Sequence, residues 1–151
     1  MEASVRLQNE LKNFQKNRPF GCYAKPNPKD IFSWKCQFHH GGFFYSLSLL
    51  FSKDYPIKPP SLKFDNQMFH PNIFSNSTVC LDIITSKWSP SFTIKDILAG
   101  LKQLLDFPNP SSPANAEAAK LFTRNKQKYK LEVEKIGKKF YEKYKLQSFK
   151  N

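Results

Sequence analysis

No stretch of about eighteen or more apolar residues occurs in this chain, so the sequence offers no candidate membrane-spanning helix. Glycine is scarce, with 5 in 151 residues, and none of them builds a phosphate-binding loop. Cysteine numbers three, Cys22, Cys36 and Cys80, widely spaced and odd in count. There is no CxxC and no Cys/His pair at zinc-ligand spacing, which argues against a structural metal or a disulfide framework. The thiols are expected to stay reduced, either in the core or in chemistry. The opening run MEASVRLQNELKNFQKN lacks the apolar core and small-residue cleavage site of a secretory leader. The expected location is therefore the cytoplasm, with the nucleus. Acidic residues are few as well. Twelve Asp and Glu stand against 24 Lys and Arg, for a net charge of +12. From Asn115 to Asn151 the basic residues number eleven and the acidic four, so this quarter alone carries +7. A basic chain invites a nucleic-acid reading. No zinc finger, RNA-recognition signature or helix-turn-helix accompanies the charge, and the lysines fall on the outer faces of helical patterns. A solvated basic face is expected there, with no specific nucleic-acid site.

What the chain does have is apolar residues in abundance, 40% of the total, with Phe supplying 15. That suffices for one domain with a real core, read here as residues 1–151. Leu7, Leu11 and Phe14 fall at i, i+4 and i+7, which predicts a helix over 3–16 that ends at NRPFG. GCYAKP, IFSWKCQF, FFYSLSLLF and LKF read as four strands joined by NPKD, by the tight connection HHGG and by SKDYPIKPPS. The prolines of SKDYPIKPPS predict an extended, rigid loop. Four strands with short turns suggest an antiparallel meander. Residues 64–92 show no periodicity, and so long an irregular run is usually functional. Thr93 fits an N-cap, and Ile94, Ile97, Leu98, Leu101, Leu104 and Leu105 form a wide helical stripe. PNPSSP breaks that helix. ANAEAAKLF and KQKYKLEVEKIGKKFYEKYK (126–145) read as two more.

The irregular run holds HPNIFSNSTVCLDIITSKWSP, residues 70–90. Its Cys80 admits three readings: nucleophile, metal ligand, or small buried hydrophobe. A thiolate is a strong nucleophile, and its thioester is an activated acyl carrier. His70 is the only nearby imidazole. A Cys–His dyad is one reading of it, and a hydrogen bond that braces the loop is the other.

The combination of YPIKPP, then HPN, then a Cys eight residues beyond the Asn, then Leu-Asp and Trp-Ser-Pro, closely resembles the ubiquitin-conjugating enzymes. The resemblance spans nearly the whole chain. It implies an α+β fold with an N-terminal helix, a four-stranded antiparallel sheet and C-terminal helices. It implies that Cys80 forms a thioester with ubiquitin delivered by an activating enzyme and passes it to a substrate lysine with a RING-type or other ligase. No cofactor is implied, since the activating enzyme consumes the ATP. His70 then braces the active-site loop. Asn72 is placed as an amide donor to the oxyanion, or as a structural brace, or both. Asp82 and Ser112 match positions that gather polar groups around the incoming lysine, although Ser112 also fits a helix N-cap. Ile57, Ser89, Pro90 and Ser91 match the two loops that meet ligases. Arg6 matches a basic position used to dock the activating enzyme, and Asn9 stands where a second Lys is common. Tyr23 replaces a small residue on the sheet's back face, which is expected to hinder non-covalent ubiquitin binding. The connection at His39–Gly42 is shorter than the family's usual loop, a trait shared with neddylating members. Another ubiquitin-like modifier is therefore an alternative cargo. Ser77 stands where a glycine is frequent, so the local turn is expected to differ. A third reading, a catalytically silent ubiquitin-binding module, is disfavoured by Cys80 itself.

Overall fold

The computed structural model describes residues 2–144. The predicted helix end at Lys145, and Lys145 and Lys150 of the basic quarter, lie outside them. Helix α1 (Ala3–Lys16) comes first, then strands β1 (Cys22–Asn27), β2 (Asp30–His40), β3 (Phe43–Leu50) and β4 (Ser61–Phe64). Helices α2 (Ile94–Asp106), α3 (Ala116–Arg124) and α4 (Lys126–Tyr144) complete the α+β fold. The strands form one antiparallel sheet in the order β1-β2-β3-β4.

Register follows from alternation. Cys22, Phe38 and Tyr45 make one cross-strand row, and Ala24, Cys36, Leu47 and Phe64 make the next. Trp34, Leu49 and Leu62 make a third, and all ten side chains are buried on one face. The β2–β3 connection is a two-residue turn in which Gly41 (φ 58°) and Gly42 (φ 83°) both take the left-handed conformation. That geometry matches the twist of a hairpin and suits glycine.

Helix α4 lies over the same face through Phe140, whose ring sits 5.4 Å from Tyr45 and 6.2 Å from Phe64. Gly137 lets it come close, since a Cβ there would run into the ring of Phe43. The exposed residues of α4 are mostly lysines, with Leu131 and Tyr141 among them. Lys126, Lys128, Lys130, Lys135, Lys138, Lys139 and Lys143 are all exposed, as a solvated face requires.

Three expectations need correction. SKDYPIKPPS is coiled into turns rather than extended, with Tyr55 N–H donating to the Ser52 carbonyl (3.1 Å) and Lys58 N–H to Asp54 (3.0 Å). Proline fixes its own φ but leaves Ser52 and Asp54 free to accept those bonds. The cap of α3 is Asn115, whose side chain accepts from Ala118 N–H at 3.0 Å; Ser112 lies upstream of it. In α1 the buried stripe is Ala3, Leu7, Glu10 and Phe14, so a carboxylate holds a core position and Leu11 sits at the margin. Among the described residues no helix is long and apolar enough to cross a membrane, and no group of His, Cys, Asp or Glu could hold a metal.

Candidate active site

The aperiodic run after β4 is ordered by pairing with the sheet and with itself. Val79 N–H donates to the Leu62 carbonyl (3.0 Å), and Phe64 N–H donates to the Ser77 carbonyl (3.0 Å). Ile73 and Val79 form an antiparallel bridge, and Cys80 N–H donates to the Asn72 carbonyl at 2.9 Å. Residues 70–80 are therefore a small folded-back loop that sets Cys80 directly across from the His-Pro-Asn segment. Its turn carries Ser77 at φ 72°, the left-handed region a glycine would occupy without strain. The turn expected to differ in fact keeps a glycine-like backbone. Ser77 Oγ donates to the Asn66 carbonyl at 2.8 Å, which offsets part of the cost.

His70 is buried, and both ring nitrogens are engaged. Nε2 donates to the Leu104 carbonyl of α2 (2.8 Å), while Nδ1 accepts from Asn72 N–H (3.0 Å). Burial pushes its pKa down to about 4, with the Leu104 carbonyl opposing in part. It is a neutral brace between loop and helix, with no nitrogen left to take a proton from Cys80.

Asn72 is likewise buried. Its Oδ1 accepts from Asn109 N–H and its Nδ2 donates to the Asn109 carbonyl, both at 2.8 Å. This two-point clamp draws the segment after α2 alongside Cys80. The Pro71 carbonyl adds to it by accepting from Ala114 (2.8 Å) and Asn115 (3.0 Å). A groove of about 440 Å³ results, lined by Asn72, Cys80, Asp82, Gln103, Phe107 and Ser112 among others. Gly100 of α2 also lines it, and a Cβ there would stand 2.8 Å from the end of the Ile83 side chain.

The three thiols divide sharply. Cys22 and Cys36 are buried, and burial pushes Cys36 well above the ordinary thiol range. Cys80 alone is exposed. Asp82, also exposed, opens a short 3₁₀ turn (Asp82–Ile84) immediately after it. The structure thus brings Cys80, Asn72, Asp82 and Ser112 to one groove and puts His70 behind it.

The remaining sequence candidates lie apart from that groove. Ile57 is 73% exposed, and the loop that bears it is tied to the WSPS loop by Trp88 Nε1, which donates to the Pro56 carbonyl at 2.9 Å. Pro90 and Ser91 are exposed on that second loop and Ser89 is half-buried, with Ser89 and Ser91 hydroxyls 2.9 Å apart. Arg6 is half-buried and fastened by its guanidinium. It donates to Glu10 (3.0 Å), to the Pro90 carbonyl (2.9 Å) and to the Phe92 carbonyl (2.8 Å). Glu10 also accepts from Tyr55 OH and from Ile94 N–H (2.9 Å), joining α1, both loops and the start of α2. Tyr23 packs on the sheet's back face beside Phe44, at 6.5 Å, under the Arg18 guanidinium at 4.5 Å. Sequence reasoning missed Asn109 and Glu10. Nothing local marks Asn109, which acts through its peptide group. Glu10 does leave a signal, a charge four residues after Arg6 and three after Leu7 on the apolar side of α1.

The family model described as "Ubiquitin-conjugating enzyme" matches residues 6–136. Two similar curated proteins are "Ubiquitin-conjugating enzyme E2 3" of Arabidopsis thaliana and "Ubiquitin-conjugating enzyme E2 1" of Caenorhabditis elegans. The first is 40% identical over 146 residues, covering 92% of this chain and 97% of the relative. The second is 39% identical over 139 residues, covering 87% of this chain and 71% of the relative.

Proposed function

This chain belongs to the ubiquitin-conjugating enzyme family, and from that premise we propose that it carries ubiquitin as a thioester on Cys80 and passes it to a substrate lysine with a ligase's help. The observation that carries the assignment is the exposure of Cys80 at the groove while Cys22 and Cys36 are buried. In charging, the Cys80 sulfur attacks the acyl carbon held by the activating enzyme. A new C–S bond forms there, the old one breaks, and the activating enzyme's sulfur leaves as thiolate. In transfer, a lysine nitrogen attacks the Cys80 thioester. The C–N bond forms, the C–S bond breaks, the sulfur keeps the electron pair, and the amine's proton passes to solvent.

The surroundings favour aminolysis over hydrolysis. His70 is neutral and engaged at both nitrogens, so no imidazole activates water. One Nδ2 proton of Asn72 goes to Asn109, and the other is the donor proposed for the oxyanion. Asp82 and Ser112 line the path of the incoming lysine, where a carboxylate attracts the ammonium group and a hydroxyl orients the amine. Ligase contact is assigned to Ile57 with Ser89, Pro90 and Ser91. Arg6 serves the activating enzyme through the α1 and loop surface that it holds in shape. ATP is consumed by that partner, and we place the reaction in the cytoplasm or nucleus, where a free Cys80 persists.

The test is charging. Incubation with an activating enzyme, ATP and ubiquitin should give a reductant-sensitive band that Cys80→Ser replaces with, at most, a slow reductant-resistant ester. Lysine discharge by that variant at the wild-type rate would remove the nucleophile assignment. The short hairpin at His39–Gly42 makes a neddylating modifier the cargo to run in parallel.

A further inference from the structure

Lys87 has no part in the roles above, yet it stands against the one charge in the groove. Of the thirteen residues lining it, Asp82 alone carries a charged side chain. The Asp82 carboxylate is paired, with Lys87 Nζ 3.4 Å from Oδ2. The backbone builds this pair. The Asp82 carbonyl accepts from Thr85 N–H (3.1 Å) and from Lys87 N–H (2.9 Å), so the chain curls through one tight turn and returns to the residue it left. The Lys87 side chain then reaches the carboxylate of the same residue whose carbonyl holds its amide.

We propose that Lys87 is a built-in competitor for Asp82, a specificity-determining residue that slows discharge onto amines no ligase delivers. The inference rests on the reading of Cys80 as the thioester carrier. A free lysine has a pKa near about 10.4 and arrives as an ammonium ion. Asp82 attracts it, and Lys87 offers the same carboxylate the same kind of cation from within. A stray amine must displace Lys87, whereas a lysine held in place by a ligase-bound substrate competes at high local concentration. Lys87 and Asp82 side chains are 72% and 56% exposed, so solvent screens the pair and the effect is modest. It should reach about 2–5-fold at low ionic strength and vanish near about 1 M salt, where screening acts within about 3 Å.

The experiment is single-turnover discharge of the charged enzyme against increasing free lysine, in wild type, Lys87→Gln, Lys87→Arg, Asp82→Asn and the Lys87→Gln/Asp82→Asn double variant. Lys87→Gln should lower the lysine concentration at half-maximal rate by about 2–5-fold with the maximal rate unchanged. Lys87→Arg should behave as wild type, and Lys87→Gln should add nothing once Asp82 is Asn. Hydroxylamine, neutral at the same pH, should discharge all variants alike with respect to position 87. An unchanged lysine dependence in Lys87→Gln at low ionic strength would overturn the proposal. Equal acceleration toward hydroxylamine would overturn it too, because that marks a widened groove rather than a freed charge. A wild-type chain that never charges would instead overturn the thioester reading beneath it.

Discussion

His70 and Asn72, one residue apart, share a role, since each turns a polar side chain inward to hold the loop on which Cys80 sits. For His70 the consequence is a pH dependence. Its pKa in the fold is about 4, against an ordinary value of 6.5. Between those values the unfolded chain binds a proton that the folded chain refuses, so stability rises with pH through this window. Its contribution is complete above about 6.5 and lost as pH falls toward about 4, an amount on the order of 3 kcal/mol for so buried a group. Thermal melting between those pH values should show a steep decline in wild type and a flatter one in His70→Gln. For Asn72 the consequence is double. Asn72→Ala removes both bonds to Asn109 and should cost about 1–3 kcal/mol of stability. It should still charge, while discharge to lysine slows by about 10²-fold or more if the second Nδ2 proton serves the oxyanion. A lowered melting temperature with wild-type discharge would leave Asn72 as a brace alone.

At the scale of elements, the segment 70–80 shows how an aperiodic stretch becomes rigid. Its amides donate to the carbonyls of Leu62 (from Val79), Asn72 (from Cys80), Thr78 (from Phe74) and Phe74 (from Ser77) rather than along a local helix or strand, and the turn depends on Ser77 in the left-handed region. Ser77→Gly relieves about 1 kcal/mol of backbone strain and loses one hydroxyl bond to Asn66 of similar worth, so it should melt near wild type. Ser77→Ala keeps the strain and loses the bond. It should melt a few degrees below the Gly variant, as about 1 kcal/mol implies for a chain of this length. Equal melting of the two would show that the φ of Ser77 carries no cost. Helix α1 gives the second case. Glu10 lies in its apolar stripe because Arg6, Tyr55 and the amide of Ile94 converge on it. A buried carboxylate requires such partners.

The whole molecule places its reactive groove and its exposed loop pair in separate regions. The loop pair is composite. Ile57 and Pro90 come from segments over thirty residues apart, fastened by Trp88 to Pro56 and by Arg6 to Pro90 and Phe92. Because Ile57 is 73% exposed, Ile57→Ala should leave melting and charging intact. Ligase-stimulated discharge should fall several-fold, as expected if an apolar side chain worth roughly 1–3 kcal/mol is fully buried on docking. Unchanged stimulation would place the ligase contact elsewhere.

The sequence by itself determined the elements and the family. Period-two alternation in IFSWKCQF and the 3.6-residue stripe of α2 encode burial locally, and the spacing of His70, Asn72, Cys80 and Asp82 is a linear property. It also placed Gly41-Gly42 in a tight turn. Tertiary structure alone decided which thiol is exposed, which way Ile57 points, that Arg6 is held by distant carbonyls, and that Ser112 lines the groove while Asn115 caps α3. Those outcomes rest on backbone groups such as the carbonyl of Leu104 and the peptide of Asn109. Every residue carries such groups, so residue identity cannot single them out. They become partners only when the folded chain brings α2 and its following segment against the loop of Cys80.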